Sequence, residues 1–107
     1  MQRTWNYPAE LIRVHDGDTA WLKLDLGLRI KVEAPCRLFG INAPELSEPS
    51  GIASRDWLAA RLADKVLRVD SMQLDKYGRP LVRIFDAALP ESVNDEMLRL
   101  GLAAPYP

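Results

Sequence analysis

The sequence predicts a mainly β protein with helices, an α+β arrangement in which five short strands close a small barrel and two helices flank it. Three observations carry this expectation. Apolar and polar residues alternate with period two from Leu22 to Val32. Turn dipeptides and prolines cut the rest of the chain into short apolar runs. Stretches with helical spacing follow the third strand and the fifth. The 107 residues, 48% apolar and 27% charged, suffice for one core, so residues 1–107 are read as a single domain.

Taken in order, Glu10 to Val14 reads as a strand that ends at the turn dipeptide Asp16-Gly17. Leu22, Leu24, Leu26, Leu28, Ile30 and Val32 then alternate with Lys23, Asp25, Gly27, Arg29 and Lys31. That pattern predicts a hairpin turning at Asp25 and Gly27 with its apolar side buried, and Trp21 on the outward side. Arg37 to Ile41 reads as another strand, stopped by Asn42-Ala43-Pro44. Pro49-Ser50-Gly51 punctuates the start of a helix in which Ile52, Ala59, Leu62 and Ala63 recur at helical spacing beside Leu58. Val66 to Val69 is a fourth strand, and Leu81 to Phe85 a fifth, entered through Tyr77-Gly78. A last short helix begins at Ser92, which can cap it with Asp95 three positions on. Its stripe is Val93, Met97 and Leu100, and Gly101 suits a left-handed stop. Three strands, a helix, two strands and a helix suggest a small closed barrel of the OB type.

Fourteen basic against fifteen acidic side chains give a formal charge of −1, which excludes a protein that grips nucleic acid by bulk positive charge alone. The single cysteine, Cys36, cannot form an intramolecular disulfide and is expected to be a buried, inert thiol. One cysteine and one histidine exclude a Cys₂His₂ or Cys₄ zinc site, and the lone His15 is expected to be structural. No apolar run reaches membrane-spanning length and none follows the N-terminus, so no membrane partner is expected. With the missing disulfides, this points to an intracellular, cytoplasmic protein.

Three segments carry chemistry. Asp16-Gly17-Asp18-Thr19 is either a solvated hairpin turn or a place where Asp18 ligates a hard, oxygen-seeking cation. An EF-hand is excluded, because Ala20 and Trp21 stand where its loop needs an acid and a glycine. In the second segment, Arg37 lies within an apolar strand and needs an anionic partner, either an internal carboxylate or a phosphate. Asn42, the backbone carbonyl before Pro44 and Glu45 then crowd oxygens into four residues, as a metal site or a proton-accepting base requires. In the third, Asp75-Lys76-Tyr77-Gly78-Arg79 is either a solvated charged turn or a set of donors for one phosphate, with Arg79 able to bind it bidentately.

In this order, these segments, followed by Val93-Asn94 and Gly101-Leu102-Ala103, resemble the staphylococcal-nuclease-like (thermonuclease) family over roughly residues 9 to 104. The resemblance implies an OB-fold barrel with flanking helices and a calcium-dependent phosphodiesterase acting on DNA and RNA. It implies that Asp18 binds the metal, that Asn42 stands where the family usually has a second metal-binding aspartate, and that Ala43 contributes its backbone carbonyl. Glu45 matches the glutamate proposed to activate water, Arg37 and Arg79 the arginines that hold the phosphate, and Lys76 and Tyr77 residues that contact a nucleotide's terminal phosphate. The expected function is therefore a metal-dependent nuclease, with Ca²⁺ as cofactor, DNA or RNA as substrate, little sequence specificity and no obligate protein partner. The alternative is a nuclease-like module that has lost catalysis and binds nucleic acid or a protein. Retention of both arginines and the glutamate favours the enzyme.

Overall fold

A computed structural model of the chain describes residues 5–87 and 89–106. Its first strand, β1 (Trp5–Asp16), is bent by register shifts between Leu11 and Arg13 and between Val14 and Asp16. The bend lets one strand serve two neighbours. Residues from Trp5 to Ala9 pair with β5 (Leu67–Leu74), and those from Ala9 to Asp16 pair with β2 (Thr19–Asp25). β2 continues into β3 (Lys31–Leu38), and β5 pairs with β6 (Pro80–Asp86), all antiparallel. A parallel seam of Arg37 with Leu81 and Leu38 with Val82 closes the five-stranded barrel in the order β1-β2-β3-β6-β5. The expected fold class is therefore observed. Leu22, Leu24, Cys36, Leu38, Val69, Val82 and Ile84 fill the interior. Burial pushes the Cys36 thiol up to about 12, which makes it inert at neutral pH.

The hairpin departs from its pattern. Leu22 and Leu24 are buried, but Leu26, Leu28, Ile30 and Val32 are exposed, Leu28 to 93%. β1 runs beside β2 only as far as the Ala9–Leu24 pair, so nothing lies over the side chains beyond it. The turn itself holds Gly27, Leu28 and Arg29 at φ of 85°, 55° and 65°, closed by the Leu26 N–H on Ile30 O at 2.9 Å. Trp21 is half-buried under the Arg13 guanidinium, 4.7 Å from its ring centroid.

Arg37 to Ile41 is not one strand. β3 ends at Leu38, Gly40 turns the chain at φ 80°, and β4 (Ile41–Asn42) pairs instead with β7 (Ala104–Pro105). The chain thereby leaves the barrel wall and crosses its end toward the β1–β2 corner.

Helix α1 (Pro49–Leu62) starts at its proline, whose missing N–H is no loss in the first turn. Its buried stripe is Gly51, Ser54, Leu58 and Leu62. Ile52 is exposed, because the first turns of the helix are seated by the small residues Gly51 and Ser54, and Ala63 is exposed as the C-cap beyond the last turn. Helix α2 (Val93–Arg99) is capped by Ser92, whose Oγ accepts from the Asp95 N–H at 3.0 Å. It ends with Gly101 at φ 75° and the Leu102 N–H on Met97 O, a Schellman motif. Val93 and Met97 are buried, but Leu100 is its C-cap and is exposed. Arg61 ties both helices to β6, reaching Glu96 at 2.8 Å and Asp86 at 3.1 Å. No described helix is long and apolar enough to cross a membrane.

Asn94 is buried in the first turn of α2. Its Oδ1 accepts from the Ile84 N–H, and its Nδ2 donates to Phe39 O and Val82 O, at 2.9–3.0 Å. It fastens the end of β3 to β6 at the parallel seam. Asn94→Ala strands these backbone groups and is expected to lower unfolding free energy by about 3 kcal/mol, read by urea denaturation.

Candidate active site

The β1–β2 corner is built around Gly17. A Cβ there would lie 2.3 Å from Ser54 Oγ and 2.6 Å from Ala43 Cβ. Glycine therefore serves close approach, letting α1 and the Asn42–Ala43 segment press against the corner. The Asp18 N–H donates to Asp16 Oδ1 at 3.1 Å, which orients the corner. The Asp18 carboxylate accepts the Ala43 N–H on Oδ2 at 2.9 Å and the Thr19 hydroxyl on Oδ1 at 3.3 Å. Burial pushes the Asp18 carboxyl above its ordinary pKa and the Asp16 side chain adds to this, while the Ala43 N–H and Arg37 pull the other way. Loss of water around the carboxylate thus outweighs the bonds and the guanidinium that stabilise its charge.

Arg37, at the end of β3, finds part of its anionic partner here. Its Nη2 lies 3.6 Å from Asp18 Oδ2, and its Nη1 donates to Leu38 O at 2.9 Å. Arg79 arrives from the β5–β6 turn and is aimed by Asp75. The Asp75 carboxylate accepts Arg79 Nε at 2.8 Å and the backbone N–H groups of Arg79 and Tyr77 at 2.9 Å. Desolvation alone would raise the Asp75 carboxyl, but these bonds and the Arg79 charge together hold it below its ordinary pKa. Because Asp75 takes Nε, the terminal nitrogens of Arg79 face the cleft, and Nη1 lies 3.5 Å from Thr19 Oγ1.

Glu45 stands on the loop between β4 and α1. Its carbonyl oxygen accepts the Glu48 N–H at 3.0 Å, and a Cβ on Gly51 would lie only 1.9 Å from that oxygen. The backbone of Glu45 is thus pinned against α1, while its side chain is exposed.

The result is one cleft of about 400 Å³ lined by Asp18, Arg37, Asn42, Ala43, Glu45 and Arg79. These are the residues that the sequence put forward for metal binding and catalysis. Lys76 and Tyr77 lie instead in an adjoining cleft of about 530 Å³ that also holds Tyr106. Arg37 and Arg79 line both and form the divide. The Tyr77 ring is covered by Lys76 at 5.1 Å and Arg79 at 5.5 Å.

Sequence reasoning gave no role to Asp16, Thr19 or Asp75, though all lie inside the motifs it quoted. The expectation for His15 is corrected: its side chain is 66% exposed at the cleft, 3.9 Å from Asp16 Oδ2, so it supports no core.

The donor set suits a hard cation. Asp16, Asp18, the Asn42 amide and the backbone carbonyls beside it offer only oxygen. The Asp16 and Asp18 carboxylates stand two residues apart at the corner, and among the described residues only the Arg37 guanidinium, 3.6 Å from Asp18, approaches the latter as a positive charge. Among the described residues, no three acidic, imidazole or thiolate side chains gather around one point. A cation held here would keep much of its water shell.

A family model described as staphylococcal nuclease homologue matches residues 35–107. A protein named uncharacterized endonuclease from Escherichia coli is 34% identical over 96 residues, covering 90% of this chain and 59% of the relative. Protein ParB of Escherichia coli is 31% identical over 104 residues, covering 91% and 56%. An uncharacterized endonuclease of Haemophilus influenzae is 30% identical over 96 residues, covering 90% and 51%. The chain therefore spans between half and three-fifths of the length of these relatives.

Proposed function

Because this chain belongs to the staphylococcal nuclease homologue family, we propose that it is a divalent-metal-dependent nuclease, with calcium as the cation, that hydrolyses phosphodiester bonds of DNA or RNA with little sequence specificity. The observation that supports this reading best is the pair of guanidinium groups, Arg37 and Arg79, bordering a cleft that also holds Asp18, Asn42 and Glu45.

Each residue has a task that its chemistry suits. Arg37 and Arg79 grip the non-bridging phosphate oxygens and stabilise the charge that grows on them as water attacks. Glu45, on a pinned backbone with a free side chain, takes the proton of the attacking water or orients it. The new P–O bond forms as an ester P–O bond breaks, leaving a phosphomonoester and an alcohol. Lys76 and Tyr77 hold the neighbouring nucleotide in the adjoining cleft. Asp18, Asn42 and the Ala43 carbonyl would hold the cation, which supplies positive charge beside the reacting phosphate.

The test is digestion of plasmid, single-stranded DNA and RNA with calcium or with chelator. Degradation is expected in calcium and not in chelator, and Glu45→Gln is expected to slow it about a hundredfold. Tight binding without cleavage in any divalent metal would identify a binding module instead.

Asn42 donates oxygen without charge, where a carboxylate would attract a cation by a few kcal/mol before hydration offsets it. Asn42→Asp is therefore expected to lower the calcium concentration for half-maximal activity by about tenfold, and direct calcium titration by calorimetry should move with it.

A further inference from the structure

The outer face of β6 continues the second cleft. Leu81, Arg83 and Phe85 alternate with buried Val82 and Ile84, so they stand on the outside of the barrel in one row that begins beside Arg79. Leu81 and Phe39 already line the cleft that holds Lys76 and Tyr77. From there the row is a series of stacked cations and rings. The Arg83 guanidinium lies 4.9 Å over Phe39, and Arg68, directly across from Phe85 on β5, lies 4.4 Å over its ring.

We propose that this face carries the single strand of nucleic acid leading away from the cleft, its bases stacking on the Arg83–Phe39 and Arg68–Phe85 pairs; this rests on the nuclease reading above. An arginine held over an aromatic ring can present its opposite face to a base, with Arg83 further fixed by Nη1 on Met72 Sδ at 3.7 Å, and such platforms tolerate any sequence. Outward positions on a strand recur about every 6.6 Å, close to the spacing of successive nucleotides in an extended single strand. The charge agrees. Lys76, Arg79, Arg83 and Arg68 follow one another along the path, against Asp75, which Arg79 occupies, and Asp70, 4.0 Å from Arg68 Nε. On a chain with net charge −1, this face carries a local excess of positive charge.

The test compares a dinucleotide with a single strand of about sixteen nucleotides as substrates for Arg68→Ser/Arg83→Ser, with thermal melting as the check on folding. The variant is expected to lose about tenfold in kcat/KM on the long strand and nothing on the dinucleotide. Arg68→Lys/Arg83→Lys keeps the charge but not the flat face, and should lose most of the same advantage. Equal losses on both substrates, no loss on either, or full activity in the lysine variant would overturn the proposal. If the unmodified protein cleaves neither substrate, the nuclease reading fails by itself. Anisotropy of a labelled long strand in chelator then decides the path, with about tenfold weaker binding in the serine variant supporting it and unchanged binding overturning it.

Discussion

Arg79→Ala is expected to reduce kcat on single-stranded DNA by about 10²–10³-fold, with a smaller effect on KM. The size follows from the loss of one preorganised donor aimed at charge that appears only in the transition state. Arg37→Ala should lose a similar amount, with an added penalty, because Asp18 then keeps its buried carboxylate without the guanidinium 3.6 Å away. Arg79→Lys distinguishes charge from geometry. A lysine retains the positive charge and the backbone N–H bond to Asp75, but cannot give parallel bonds to two phosphate oxygens or reproduce the Nε bond to Asp75 that aims the guanidinium, so it should recover only a minor part of the rate. The measurement is steady-state cleavage of a fluorescent single strand at saturating calcium. Activity within threefold of the unmodified protein in Arg79→Ala would remove the arginine from the chemistry.

Gly51→Ala is expected to have nearly as large an effect on catalysis from a position outside the cleft. The added methyl would meet Glu45 O at 1.9 Å and Pro44 O at 2.8 Å, distances no packing tolerates. Since those atoms are backbone, the loop carrying Glu45 has to move off α1. The cost in stability is about 1–3 kcal/mol, typical of overpacking. The cost in rate is about a hundredfold, because a shift of about 1 Å at a reacting group has that consequence. Denaturation and kcat measured on the same preparation check both. A variant that unfolds more easily yet cleaves normally would show that Glu45 needs no such support.

How much of this was legible in the sequence follows a physical line. The Asp16–Thr19, Arg37–Glu45 and Asp75–Arg79 motifs fixed which residues meet, because each motif is a local unit whose chemistry survives any placement. The barrel was legible from strand order. The hairpin was not, since period two reports which side a residue faces and says nothing about whether another layer covers that side. Leu26, Leu28, Ile30 and Val32 keep the alternation and lose the core. In α1, Ile52 looked like core and Gly51 like punctuation, while the structure buries Gly51 and exposes Ile52. Close packing of backbone against backbone leaves no apolar signature to read. Asp75 was passed over for a similar reason: in sequence it is one more charged turn residue, and only the folded turn shows its carboxylate gathering Arg79.

The parallel seam between β3 and β6 consists of the pairs Arg37–Leu81 and Leu38–Val82, the shortest ladder in the barrel. Short ladders open more readily than the body they belong to. Arg37 and the strand that follows Arg79 stand on opposite banks of this one, with Asn94 as the rivet between them. Opening of these two pairs alone would move the two guanidinium groups apart while the longer antiparallel ladders stay paired.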